Sequence, residues 1–124
     1  SLREDNLERG IDQLRSAVEE YQKVLAGNWQ ASNAYHNMGV AYLGIGNLDL
    51  ARRAVEEAIS EEPTVAFFHD TLGEIYFRQG KFKQALEVWN LVLELEPEYK
   101  NNPFSDLLEL RPLEERLREA RVRR

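Results

Sequence analysis

Gly39 and Gly73 stand 34 residues apart, and the same interval separates Tyr42 from Tyr76, Gly46 from Gly80, Ala51 from Ala85 and Pro63 from Pro97. A recurrence of that length means that one supersecondary unit is present twice. Such units bury their apolar faces against neighbours rather than around one centre. Each period divides at a glycine turn into two segments of helical periodicity. In the first, Ala34, Met38, Ala41, Tyr42 and Ile45 recur at three- and four-residue spacings before the stop at Gly44 and Gly46. Leu48, Ala51, Val55, Ala58 and Ile59 form the next stripe, which ends near Pro63. The second period repeats the plan with Phe68, Leu72, Ile75 and Tyr76, a stop at Gly80, then Phe82, Ala85, Leu86, Trp89, Val92 and Leu93 as far as Pro97. Gly39 and Gly73, with Ala51 and Ala85, predict hairpins whose two helices approach closely.

These residues resemble the tetratricopeptide repeat (TPR). Counting from Ser32, its signature falls on Tyr35, Met38, Gly39, Tyr42, Ala51, Val55, Ala58 and Pro63. Counting from Ala66, it falls on His69, Leu72, Gly73, Tyr76, Ala85, Trp89, Val92 and Pro97. The resemblance covers residues 32–99 and implies an all-α, right-handed solenoid of helical hairpins, one domain over 1–124 with repeats at 32–65 and 66–99. Ala17, Tyr21 and Val24 lie one period before Ala51, Val55 and Ala58, so residues 1–31 read as the second helix of an earlier repeat. Within them Leu7, Ile11, Leu14, Val18, Tyr21 and Leu25 alternate at four and three residues, a heptad seam. Packing on the first repeat is the expected use of that seam, and self-association into a homo-oligomer is its rival.

After Pro97 the pattern breaks. Pro103 predicts a short helix through Phe104, Leu107, Leu108 and Leu110, and Pro112 another with Leu113, Leu117 and Ala120 on one side. Residues 100–124 are therefore expected to close the stack and to shield its last hairpin from water. Docking of this tail into a neighbouring molecule is the alternative.

The resemblance also implies where a ligand sits, because the first helix of each TPR lines a concave groove. The residues it places there are Asn33, His36, Asn37, Val40, Leu43 and Gly44, then Phe67, Asp70, Thr71, Glu74, Phe77 and Arg78. Asn37 matches an asparagine that TPR proteins use on peptide backbones, where an amide both donates and accepts. Phe67 is a candidate hot spot or a packing residue. Asp70 and Glu74, one turn apart, favour a basic or mixed-charge segment. Some family members grip the C-terminal carboxylate of a chaperone tail with a clamp of two Lys, two Asn and one Arg. Here Phe67 and Thr71 occupy clamp positions and only Asn37 agrees, so a different protein or peptide partner is implied.

Charge and composition exclude other classes. Residues 1–110 carry ten basic against nineteen acidic side chains, whereas six arginines face three glutamates from Arg111 onward. An acidic body does not make a phosphate-binding surface, so no nucleic acid is expected. The basic end suits a helix C-terminus and could also touch an acidic surface or phospholipid headgroups. Without cysteine there are no thiolate ligands, and His36 and His69 have no acidic partners at metal-binding spacing. His69 is expected buried between helices, and His36 to face the groove. Paired glutamates on amphipathic helices read as solvated faces, and no Walker loop or nucleophile elbow is present. Neither a catalytic residue nor a cofactor is expected. No apolar run reaches the length of a membrane helix. Because the sequence begins at Ser1, a leader or anchor upstream stays open, as does membership of a larger assembly or secretion factor. Cytoplasmic residence is the expectation, with export or anchoring through a missing segment as alternatives.

Overall fold

The computed structural model describes residues 2–24 and 29–124, the side chains of 2, 14, 17–24, 29 and 30 excepted. Among the described residues there are seven helices and no strand: α1 (Leu2–Val24), α2 (Trp29–Gly44), α3 (Leu48–Glu61), α4 (Ala66–Arg78), α5 (Phe82–Leu95), the single turn α6 (Ser105–Leu108) and α7 (Leu113–Arg123). They pack as two compact units, Ser1–Pro63 and Thr64–Arg124.

The hairpins α2–α3 and α4–α5 turn in the same way. The amide of Gly46 donates to the Leu43 carbonyl at 3.0 Å and that of Asn47 to Tyr42 at 3.0 Å. One period later Gly80 donates to Phe77 at 3.0 Å and Lys81 to Tyr76 at 2.8 Å. This pair of bonds satisfies the last carbonyls of a helix and needs a left-handed residue between them. Gly46 (φ 84°) and Gly80 (φ 77°) supply it. Asn47 then caps α3, its side chain accepting from the Leu50 amide at 3.3 Å.

In the first unit Gly39 lets α3 close onto α2. A β-carbon at Gly39 would lie 2.5 Å from Cγ2 of Val55 and 3.2 Å from the Ala51 carbonyl oxygen. Ala51, Val55 and Ala58 are fully buried. α1 runs back along α2: Leu7 lies against Gly44, where a β-carbon would meet it at 2.8 Å, and Arg15 donates to the Tyr42 hydroxyl. Ile11 of the heptad seam is buried. Leu25 and the side chains of Leu14, Val18 and Tyr21 lie outside the described residues, as do the side chains of Ala17 and Val24.

In the second unit Gly73 meets Trp89 as Gly39 meets Val55, and a β-carbon there would lie 2.2 Å from Nε1 of the indole. Trp89 is fully buried and donates to the Asp70 carbonyl at 3.1 Å. Burying a large apolar side chain contributes roughly 1.5–3 kcal/mol. Around it Ala66, Ala85, Leu86 and Val92 join Leu113, Leu117 and Ala120 of α7 in one apolar cluster. α7 begins where Pro112 sets an extended backbone, and the Leu113 amide donates to the Lys100 carbonyl at 2.8 Å. His69 is buried, as its place in the repeat predicts.

Candidate functional site

On α2 the residues expected to face a ligand differ in exposure. His36, Val40 and Leu43 are buried, whereas Asn33 and Asn37 are half-buried. The two amides stand one helical turn apart on one side of α2. His36, read from the sequence as facing the groove, is fully buried, and burial pushes its pKa down to about 3, so the ring is neutral at ordinary pH. Away from the amides, Tyr35, Met38 and Tyr42 line a cleft of about 190 Å³ with Leu50, Ala54 and Arg15.

On α4 the six residues are all engaged by the segment from Tyr99 to Arg123. Phe67, half-buried, packs edge-on to Phe68 with centroids 5.0 Å apart and faces Phe104 at 6.4 Å. Thr71 is buried; its Oγ1 donates to the Phe67 carbonyl at 3.0 Å and accepts from Nδ2 of Asn102 at 3.1 Å. Asn102 is itself buried, and its Oδ1 accepts from the Phe104 amide at 2.9 Å. Phe77 lies under the Arg123 guanidinium at 5.7 Å. Arg78 donates from Nε to Glu74 at 2.8 Å and from Nη2 to the Leu108 carbonyl at 3.2 Å.

The centre of this arrangement is Asp70, which is completely buried. Arg116 of α7 grips it with two parallel bonds, Nη1 to Oδ1 at 2.7 Å and Nη2 to Oδ2 at 3.0 Å. The same Nη1 reaches Glu74 Oε1 at 3.4 Å, and Nε donates to the Arg111 carbonyl at 2.8 Å. The guanidinium also lies over the Trp89 ring, 5.2 Å from its centroid. Bidentate pairing of this kind is strong and geometrically selective. Burial opposes the charge on Arg116, but the hydrogen bonds and charge of Asp70, with Glu74 behind, outweigh it and raise its pKa. Tyr99 donates to Asp70 Oδ2 at 2.6 Å; burial first, then the Asp70 charge, holds this phenol protonated.

The acidic pair on α4, expected to favour a basic segment of a ligand, is paired here with Arg116 of the same chain. The sequence pattern sets Leu113, Leu117 and Ala120 on one side of α7 and the Glu and Arg residues elsewhere, but Arg116 is buried on the apolar stripe, at the same three- and four-residue spacing. A charge on an apolar stripe was the available signal. Tyr99 and Asn102 carried none, since they lie between periodic segments. Among the described residues no group of three or more His, Asp or Glu side chains could hold a metal ion. No described helix is long and apolar enough to cross a membrane.

Helical hairpins with this turn and this glycine contact define a class of repeat protein that is generally an interaction fold. The chain belongs to the tetratricopeptide repeat family, whose pattern matches residues 32–65 and again 66–99. Among its relatives is Response regulator aspartate phosphatase E of Bacillus subtilis (strain 168), 28% identical over a 112-residue alignment that covers 85% of this chain and 30% of that protein. Tetratricopeptide repeat protein 7A of Homo sapiens is 27% identical over 92 residues, 74% of this chain and 11% of that protein. The chain therefore spans under a third of the length of either. A solved mutant O-GlcNAc transferase of Thermobaculum terrenum shares the fold, with a TM-score of 0.54 at 24% identity over 75% of this chain and 20% of that one.

Proposed function

We propose that this chain is a non-catalytic protein-interaction module that holds a peptide or helix of a partner, in the service of a scaffold or assembly factor. The observation that carries this reading is the contrast between α2 and α4. Equivalent positions are engaged by the chain's own C-terminal segment on α4, while α2 keeps the half-buried amides Asn33 and Asn37. An asparagine pair one turn apart can donate to and accept from an extended backbone, reading shape and register more than side-chain identity. Helices formed before binding carry little ordering penalty of their own.

The test compares the natural chain with an Asn33→Ala, Asn37→Ala variant as baits, after checking that their helical circular dichroism agrees. Each lost hydrogen bond removes about 0.5–1.5 kcal/mol, so loss of the pair lowers affinity for a captured partner roughly 5- to 150-fold. Partners retained equally by both baits remove α2 from the site.

A further inference from the structure

We propose that the acidic side of α4 is a receptor for an arginine-bearing amphipathic helix, that α7 is its resident occupant in cis, and that a partner protein's helix of the same chemistry displaces it. The proposal rests on reading this side of α4 as ligand-facing. Its recognition element is a bidentate arginine, with apolar residues three before and one after it and a small residue one turn further on, as Leu113, Arg116, Leu117 and Ala120 are arranged.

Three features make the occupant exchangeable. First, its apolar stripe is short: Leu113, Leu117 and Ala120 are buried while Glu114, Glu115, Arg118 and Val122 are exposed. Such a helix has little apolar area of its own with which to hold its place. Second, a buried ion pair yields little net stabilisation, because desolvation offsets most of the attraction, yet leaving either partner alone is heavily penalised. Asp70 therefore selects strongly for some arginine and weakly for which one. Third, the connection from α5 to α7 holds one residue in an unfavourable backbone conformation. α6 is one turn, and Glu109 ends it in the left-handed region at φ 57°, a conformation that side chains other than glycine rarely hold. A partner protein fits better than a second copy, since a swapped α7 would regain only the contacts it left while losing the freedom of two molecules.

The probe is an acetylated, fluorescent peptide of residues 111–124, titrated by anisotropy with the full chain. Arg116→Ala in the protein loosens the resident helix, so the peptide is expected to bind this variant at least tenfold more tightly than the natural chain. A peptide carrying its own Arg116→Ala, or a protein that also has Asp70→Asn, should abolish binding. Equal binding to natural chain and variant, or tight binding of the arginine-free peptide, overturns the proposal. If the variant loses its helical signal, hydrogen exchange on the natural chain decides: α7 amides at least tenfold faster than those of α4 and α5 support it, and α7 amides in the slowest class refute it. Concentration-dependent dimers of the natural chain in sedimentation would make a second copy the occupant and refute the partner-protein source. Failure of the α2 pull-down leaves each of these readouts intact.

Discussion

His36 is held neutral by its surroundings, and that ties the stability of the fold to pH. In the unfolded chain an imidazole takes its proton near 6.5; in the fold this one does so only near 3, because burial disfavours the charged ring. Between those values the unfolded state binds the extra proton. The stabilising contribution is therefore complete above pH 6.5 and is lost progressively as pH falls toward 3. At ~1.36 kcal/mol per pKa unit, the loss between pH 6.5 and 5 is about 2 kcal/mol. Urea unfolding of the natural chain and of a His36→Leu variant, each at pH 7.5 and 5.0, isolates this contribution. The difference in stability between the two pH values should shrink by about 2 kcal/mol in the variant; an unchanged difference would show that His36 is not the group responsible.

At the scale of helices, the two hairpins share a glycine contact but differ in what stands against it. A β-carbon at Gly39 meets a valine methyl, whereas at Gly73 it meets the ring of an indole anchored to the Asp70 carbonyl. Alanine recovers up to about 1 kcal/mol of helix propensity at either site, against an overpacking penalty of typically 1–3 kcal/mol. Val55 can shift by a rotamer or a few tenths of an ångström, although backbone atoms at 3.2 and 3.3 Å limit it. Trp89 cannot move without breaking its bond. Gly73→Ala is therefore expected to destabilise by about 2 kcal/mol more than Gly39→Ala in thermal unfolding, and equal losses would refute the anchored-ring account. The same glycines explain why the hairpins were legible in the sequence: their turns and close approaches are local demands that few residue types meet. A closing segment over the last hairpin is expected from the sequence, but its polar contacts to α4 were not legible, because Tyr99–Asp70, Asn102–Thr71 and Arg116–Asp70 join residues about 29, 31 and 46 apart with no repeat to announce them. His36 misled for a related reason. Its position in the repeat is set by sequence, but its burial is set by whatever packs beside it.

Across the molecule, an acidic body ends in a basic tail, and within the second unit one buried arginine of that tail stands between two carboxylates of the body. If the purpose were stability alone, an apolar core of similar volume would serve equally well, since buried ion pairs replaced by packed hydrophobic side chains are often neutral or stabilising by about 1–4 kcal/mol. Breaking the pair singly is another matter: Arg116→Ala leaves Asp70 charged and enclosed, a loss of about 3–5 kcal/mol. These two expectations separate stability from recognition. A variant carrying Asp70→Leu, Glu74→Leu, Tyr99→Phe and Arg116→Met removes the buried charges and the Tyr99 hydroxyl together and leaves Arg78 its bond to the Leu108 carbonyl. Urea unfolding should find it at least as stable as the natural chain, while the peptide of residues 111–124 should no longer compete for α4 at any concentration that displaces the natural α7. A loss of 3 kcal/mol or more in that variant would mean that the charges themselves hold the unit together, and that the arginine is there for folding rather than for exchange.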